Sequence, residues 1–134
     1  VICVDTNVIC YRWIASPNSV AAEIALIKDP DWIAPMLWRS EFRNVLGTAI
    51  RRKALTTEAA KAIASKAEAS FAGSEFAVSS DAVLQFVATS GCTAYDCEFV
   101  ALAHAHGVQL VTTDRQILHE FPRVAVSLER FVRS

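Results

Sequence analysis

The apolar residues of this 134-residue chain fall in short, strand-length runs separated by helix-length stretches. That alternation limits the possible folds more than any other feature. Residues 1–5 (Val1-Ile2-Cys3-Val4 closed by Asp5), Trp32-Ile33-Ala34, Phe76-Ala77-Val78, Val108-Gln109-Leu110-Val111-Thr112 and Arg123-Val124-Ala125-Val126 read as strands. Between them, helices are expected over residues 8–14, 20–28, 36–53, 57 to about 70, 80–89, 94–106 and 114–119. Asn18 or Ser19, Thr56, Ser79 and Thr93 are candidate caps, and Gly107 is placed to end a helix. Residues 127–134 form a short tail that a helix could occupy. Strands alternating with helices imply right-handed crossovers and a parallel sheet covered on both faces. The expectation is one α/β domain over residues 1–134, a three-layer α/β/α sandwich with a four- to five-stranded parallel sheet.

Composition narrows the class. Hydrophobic residues make up 53% of the chain, enough for a well-buried sheet rather than a disordered chain. No apolar stretch approaches the ~20 residues of a membrane span, and no secretory segment is visible, so the expected location is cytoplasmic. Cys3, Cys10, Cys92 and Cys97 contain no C-x-x-C pair and fit no common zinc spacing, which agrees with a reducing compartment. The net charge of −1 is not that of a general nucleic-acid binder, so any polyanion contact must come from local clustering.

Four acids stand at element ends that could face one place. Asp5 ends the first strand, Asp114 follows the fourth, Asp96 lies in a first helical turn, and Glu41 lies near the start of the third helix, on one stripe with Leu37 and Val45, which sets a carboxylate beside the core. Each has an ordinary explanation alone: turn chemistry for Asp5, a solvent-facing charge for Glu41, a helix-dipole partner for Asp96 and a cap for Asp114. Those explanations do not account for all four falling at one end of an α/β layer arrangement, where ligands bind beyond the strand ends. Carboxylates gathered there repel unless a cation neutralises them. A hard divalent ion with oxygen ligands, Mg²⁺ or Mn²⁺, fits best.

The segments that carry these acids are Val4-Asp5-Thr6-Asn7-Val8, Ser40-Glu41-Phe42, Ala94-Tyr95-Asp96-Cys97-Glu98-Phe99-Val100-Ala101-Leu102-Ala103 and Leu110-Val111-Thr112-Thr113-Asp114. In order and spacing the chain resembles the PIN-domain ribonucleases, most closely their VapC-type toxin members, over nearly its whole length. The resemblance implies that Asp5, Glu41, Asp96 and Asp114 form an acidic quartet for Mg²⁺ or Mn²⁺. It implies that Asn7 and Thr112 support the quartet by hydrogen bonds, and that the activity is endonucleolytic hydrolysis of RNA. It also implies a homodimer and a cognate antitoxin whose basic side chain enters the acidic site. Cys97 stands where a small residue such as Ala is common in the family. Arg115-Gln116 follows Asp114 where some members carry a further acid, which bears on a second metal.

RNA would need cations around an acidic pocket. Arg12, Arg39, Arg43 and Arg115 are candidates because each neighbours a motif, although a solvated helix face explains Arg39 and Arg43 equally well. Trp13, Trp32 and Trp38 could serve a protein interface or, by default, the core. His104, His106 and His119 read as surface or helix-end residues. The principal alternative is a PIN-like domain that binds RNA or protein without cutting, or a housekeeping PIN domain. A dinucleotide-binding domain lacks its G-x-G-x-x-G, a receiver domain lacks paired acids after the first strand, and an aspartyl phosphatase lacks its D-x-D.

Overall fold

The computed structural model describes residues 1–134. Five strands and eight helices alternate as β1 (Ile2–Val4), α1 (Thr6–Trp13), α2 (Ser19–Lys28), β2 (Trp32–Pro35), α3 (Leu37–Arg51), α4 (Thr57–Ser70), β3 (Glu75–Phe76), α5 (Ser80–Ala88), α6 (Ala94–His106), β4 (Leu110–Thr112), α7 (Arg115–Glu120), β5 (Ala125–Ser127) and α8 (Leu128–Arg133). The strands form one parallel sheet in the order β3-β2-β1-β4-β5. The three-layer α/β/α expectation holds. The crossovers from β1 to β2 and from β2 to β3 run one way, and those to β4 and β5 run the other. Right-handedness then puts α1 to α4 on one face and α5 to α7 on the opposite face. The chain therefore reverses direction between β1 and β4, which is where an open parallel sheet leaves a crevice at its strand ends.

The core explains why β1 is central. Cys3 and Val4 are fully buried and pair with Leu110 and Val111 of β4. Phe99, Val100, Ala101, Leu102 and Ala103 give α6 an unbroken buried run, and this helix packs on β1, β2 and β4. Gly107, at φ +62°, ends α6 in the left-handed region that a side chain would disfavour. On the other face Trp38, Phe42 and Leu46 form the buried stripe of α3, with the Trp38 ring 4.8 Å from that of Phe71. Of the three tryptophans, Trp38 and Trp32 are core and Trp13 is half-buried. All four cysteines are free thiols. No helix is long and apolar enough to cross a membrane.

Several boundaries differ from those the sequence suggests, among them α3 (Leu37–Arg51 rather than 36–53) and β4 (from Leu110 rather than Val108), and three have a plain local reason. α1 begins at Thr6 rather than residue 8, because the Asp5 carboxylate itself caps it, accepting from the Thr6 N–H at 2.8 Å. β3 is Glu75–Phe76 rather than 76–78. Its partner β2 stops at Pro35, the last ladder bond is Met36 N–H to Phe76 O at 3.1 Å, and nothing remains for Ala77 and Val78 to pair with. β5 begins at Ala125, since the N–H groups of Val124 and Ala125 both turn back to Phe121 O. The tail is helical, with the Ser127 hydroxyl accepting from Arg130 N–H at 3.1 Å.

The short edge strand β3 is held by side chains as much as by its ladder. Glu75 accepts from Arg39 Nε at 2.6 Å and Nη2 at 2.7 Å, and from Trp38 Nε1 at 2.7 Å. Arg39 also reaches Glu68 of α4 at 3.0 Å. Arg39 first and Trp38 after it hold the Glu75 carboxyl below its ordinary range, against the opposing pull of burial. Replacing Glu75 by Ala strands the Trp38 N–H and the Arg39 guanidinium. The expected result is a loss of about 2–3 kcal/mol in urea unfolding at neutral pH with an unchanged slope. A loss below about 0.5 kcal/mol, typical of a surface substitution, would show that the clamp does not anchor the strand.

Candidate active site

Asp5 is the buried centre of the strand-end crevice. Its N–H continues the β1 ladder to Val111 O at 3.0 Å, which fixes the side chain between β1 and β4. Oδ1 accepts from the Thr6 N–H, and Oδ2 accepts from the Thr112 hydroxyl at 2.6 Å and more distantly from Asn7 Nδ2 at 3.4 Å. Thr112 is fully buried at the end of β4, and its Oγ1 in turn accepts from Asp114 N–H at 3.0 Å. One hydroxyl thus ties the two strand-end aspartates together. Asp114 caps α7, with Oδ1 accepting from Ile117 N–H at 3.0 Å.

The other two acids arrive on helices. Asp96 sits in the first turn of α6, where the Thr93 hydroxyl accepts its N–H at 3.1 Å. Glu41 is half-buried one turn into α3, and its Oε1 accepts from the Thr6 hydroxyl at 2.6 Å. Its expected stripe-mate Val45 is 40% exposed, so Glu41 stands at the margin of the α3 core face and not within it.

Electrostatics join the four acids into one patch. Burial raises the Asp5 carboxyl to about 6; the bonds from Thr112 and Thr6 oppose that rise, and the charges of Glu41 and Asp96 add to it. Burial and then the charge of Asp114 raise Asp96. Glu98, one residue past Cys97 on α6, is likewise raised, first by burial and then by Glu41. Nearby thiols are held neutral: burial, followed by the acids, pushes Cys10 up to about 12 and Cys92 to about 11. The donors at the crevice are therefore oxygens.

That donor set suits a hard divalent cation. A second observation agrees. Asn7 Oδ1 is buried without a hydrogen-bond partner, beside the Asp5 carboxylate that its own Nδ2 approaches. No three His, Cys, Asp or Glu side chains stand together as a ready-made coordination cage. Mg²⁺ dehydrates reluctantly and is held through one or two carboxylates with several waters, so a spaced acidic patch is a suitable host.

The candidate arginines separate clearly. Arg39 is committed to Glu75 and Glu68. Arg43 comes no nearer than 3.9 Å to Glu68 and is largely exposed. Arg12 lies over the rings of Trp13 and Trp32, and Glu23 is the charge that acts on it, so it is not part of the acidic patch. Arg115 directly follows Asp114 and is exposed. His104, His106 and His119 are exposed on helices and take no part.

Several residues that shape this crevice are not singled out by the sequence. Thr6 looks like a helix-start residue, yet it links α1 to Glu41. Glu98 had a visible signal, an acid set in the apolar run of α6. Gln116 and Glu120 on α7 grip the turn before α6: Gln116 Nε2 donates to Gly91 O at 2.7 Å and Gly91 N–H donates to Glu120 at 3.2 Å. A Cβ at Gly91 would meet both side chains at 3.2 Å, so the close approach favours glycine. This grip sets the start of α6, with Asp96, against the start of α7, with Asp114.

With the geometry in hand, the comparisons are decisive for the family. The sequence profile of the PIN domain matches residues 2–126. The chain belongs to the PIN domain family. Domains of this family are generally nucleases. Among solved structures, this PIN domain is similar to PAE2754 from Pyrobaculum aerophilum, with a TM-score of 0.77 and 22% identity over 98% of this chain and 93% of the other. It is also similar to FitAcB from Neisseria gonorrhoeae (TM-score 0.76, 17% identity, 96% and 99% covered). A third is FitAB bound to an IR36 DNA fragment (0.71, 17%, 96% and 95%). At these identities the likeness speaks to fold. A search of curated proteins finds no match to the chain.

Two outcomes are expected. Between the ordinary carboxylate range and about pH 6 the folded state binds a proton at Asp5 that the unfolded chain releases. This carboxyl therefore lowers stability as pH rises through that window, by up to roughly 3 kcal/mol above it. In EDTA, denaturant titrations from pH 4 to 7.5 should show this slope in the native protein and its loss in Asp5→Asn; equal slopes would place the raised carboxyl elsewhere. Thr112→Val should cost about 1–3 kcal/mol, because the Asp114 N–H loses its acceptor and Asp5 loses a donor. It should also weaken Mn²⁺ binding by about 10- to 100-fold, as losing an outer partner of a metal ligand does. Calorimetric titration with Mn²⁺ checks the second effect.

Proposed function

We propose that this PIN domain is a Mg²⁺- or Mn²⁺-dependent endoribonuclease, the toxin of a toxin–antitoxin pair, working in the cytoplasm. The observation that carries the reading is the joined patch of Asp5, Glu41, Asp96 and Asp114 at the β1/β4 crevice, with Asp5 buried and raised by its neighbours. Such an arrangement costs stability and serves no packing purpose, which is the signature of a functional site.

In this mechanism Asp5, Asp96 and Asp114 would hold the cation, directly or through water. When bound, the cation polarises phosphoryl oxygen and makes water a better nucleophile near neutral pH. Thr112 and the Thr6 N–H hold the Asp5 carboxylate in one orientation, and Asn7 Oδ1 offers a further oxygen on the same side. Glu41, steadied by Thr6, would complete the cation's shell or orient the attacking water. The water gives up a proton to solvent as it attacks phosphorus in line, the P–O bond to the leaving ribose oxygen breaks, and that oxygen takes up a proton from solvent.

Partners follow from the same reading. A cognate antitoxin is proposed to place an Arg fork against the clustered carboxylates, a geometry in which guanidinium pairs well. Val20, Ile24 and Ile27 lie along one face of α2 at 71%, 44% and 80% exposure, an apolar stripe suited to a protein contact. A homodimer is proposed on the likeness to VapC-type members.

Metal-dependent cleavage of a mixed RNA panel tests the activity. Cutting is expected with Mg²⁺ or Mn²⁺, to fall to background in EDTA, and to fall to background in Asp96→Asn. Cutting that persists in both would sink the mechanism. Tight RNA binding without any cutting, by protein freed of partners, would favour the non-cutting RNA-binding domain instead.

A further inference from the structure

Of the four arginines near the acids, Arg115 alone has no charged or aromatic side chain engaged with it: it appears in none of the ion pairs or cation–π contacts. It stands on the rim of a cavity of about 460 Å³ between α2, α7 and α8. Leu118, Leu128 and Val132 supply its apolar lining, and Asn18 supplies an amide. The Asn18 side chain does not cap α2, so both its donor and its acceptor are free for a ligand. Glu129 also lines the cavity, but its carboxylate is taken by Arg133 at 2.6 Å.

The cavity adjoins the acidic crevice without being part of it. Thr113 and Arg115 both line it, and Asp114 lies between them in the chain, turned the other way toward Asp96. The Thr113 hydroxyl is tied to Tyr11 at 2.9 Å, which keeps this wall fixed between the two spaces. Because Thr113 and Arg115 flank Asp114, this wall lies directly beside one of the four acids.

We propose that this cavity is a nucleobase subsite for the strand that the acids cut. Arg115 takes a backbone phosphate next to the scissile one, and the flanking base enters the aliphatic space, where Asn18 reads its edge. The proposal rests on the nuclease reading above. A cation at the mouth of an apolar recess, with one free amide inside, matches what an unpaired nucleotide presents: a phosphate, a hydrophobic ring and a hydrogen-bonding edge. An apolar side chain of a protein partner would use the recess but has no need of the arginine. Bases within a duplex cannot enter, so the subsite selects single-stranded RNA or a loop.

Anisotropy titrations in Ca²⁺, a hard cation that neutralises the acids but lacks the strict octahedral geometry of Mg²⁺, test this with labelled oligo-A, oligo-C, oligo-G and oligo-U and an abasic ribose-phosphate strand of equal length, each checked on a gel to be uncut. Arg115→Ala should weaken every strand by about tenfold and lower the salt slope by about one. Val132→Phe, which fills the recess, should weaken base-bearing strands and leave the abasic strand unchanged. Asn18→Ala, on an exposed helix end, should flatten any preference among the four bases, and it carries the test if Val132→Phe fails to fold. Wild-type binding in all the variants, or equal weakening of the abasic strand by Val132→Phe, overturns the subsite. If the same variants still cut RNA like the native protein with Mn²⁺, the subsite falls and the nuclease reading stands. If the native protein neither binds nor cuts any RNA, both fall. Variants that keep RNA binding but no longer bind a protein partner would make the recess a protein docking site.

Discussion

A carboxylate buried at the end of a central strand is the constraint on which this structure turns. Asp5 is buried where β1 and β4 part, and its charge is disfavoured by desolvation before any neighbour is counted. The chain compensates locally. The Thr6 N–H, the Thr112 hydroxyl and the Asn7 amide all donate toward one carboxylate. Each donor belongs to a different structural decision: where α1 starts, where β4 ends, and which way the first turn of α1 faces. Substituting one of them therefore disturbs a helix cap or a strand end as well as the acid.

The sheet order makes that crevice available. With β1 flanked by β2 and β4, and with crossovers leaving in opposite directions, no connection passes over the ends of β1 and β4. The remaining acids must then be carried in from the helical layers. Asp96 comes on α6, whose all-round burial pins it to the sheet, and α3 brings Glu41, anchored by Trp38 and Phe42. The grip of Gln116 and Glu120 on Gly91 joins the α6 start to α7. The Arg39 clamp on Glu75 does similar service at the far edge, where a two-residue strand could not hold alone. A site assembled from four separate segments is only as well defined as the packing between them.

Much of this was legible in the residues. Five apolar runs at the spacing of β–α alternation dictate a parallel sheet, and the acids at the ends of the first and fourth runs mark the edge at which the site is proposed. Thr112 and Asn7 were indicated by resemblance, and their bonds to Asp5 are now visible. What escaped was whatever depends on a partner distant in the chain. Nothing near Arg39 announces that its guanidinium will close on Glu75 instead of facing a substrate. Arg12 adjoins a motif in sequence, but the turn of α1 carries it away onto two tryptophan rings. Glu41 reads as sharing a stripe with Val45, yet α3 buries the neighbouring stripe of Trp38, Phe42 and Leu46, because helix rotation is fixed by the largest side chains. β3 lost its last two residues because Pro35 ended its partner.

The distribution of charge, rather than its sum, reconciles a formally acidic chain with a polyanionic substrate. With 13 basic and 14 acidic side chains, the protein has no general attraction for RNA. The basic cluster Arg51, Arg52 and Lys53 lies at the exposed C-terminal end of α3, where it also complements the helix dipole. The crevice itself repels phosphate until a cation enters it. In the proposed nuclease, binding of metal and binding of strand would therefore be coupled: the cation would remove the repulsion that the carboxylates create, and the phosphate would supply oxygens that the spaced carboxylates leave open. Such coupling would make a spaced acidic patch selective. On the proposed reading RNA would be held where a metal already sits, with Arg115, the one candidate arginine engaged by neither an ion pair nor an aromatic ring, beside Asp114 to steer it.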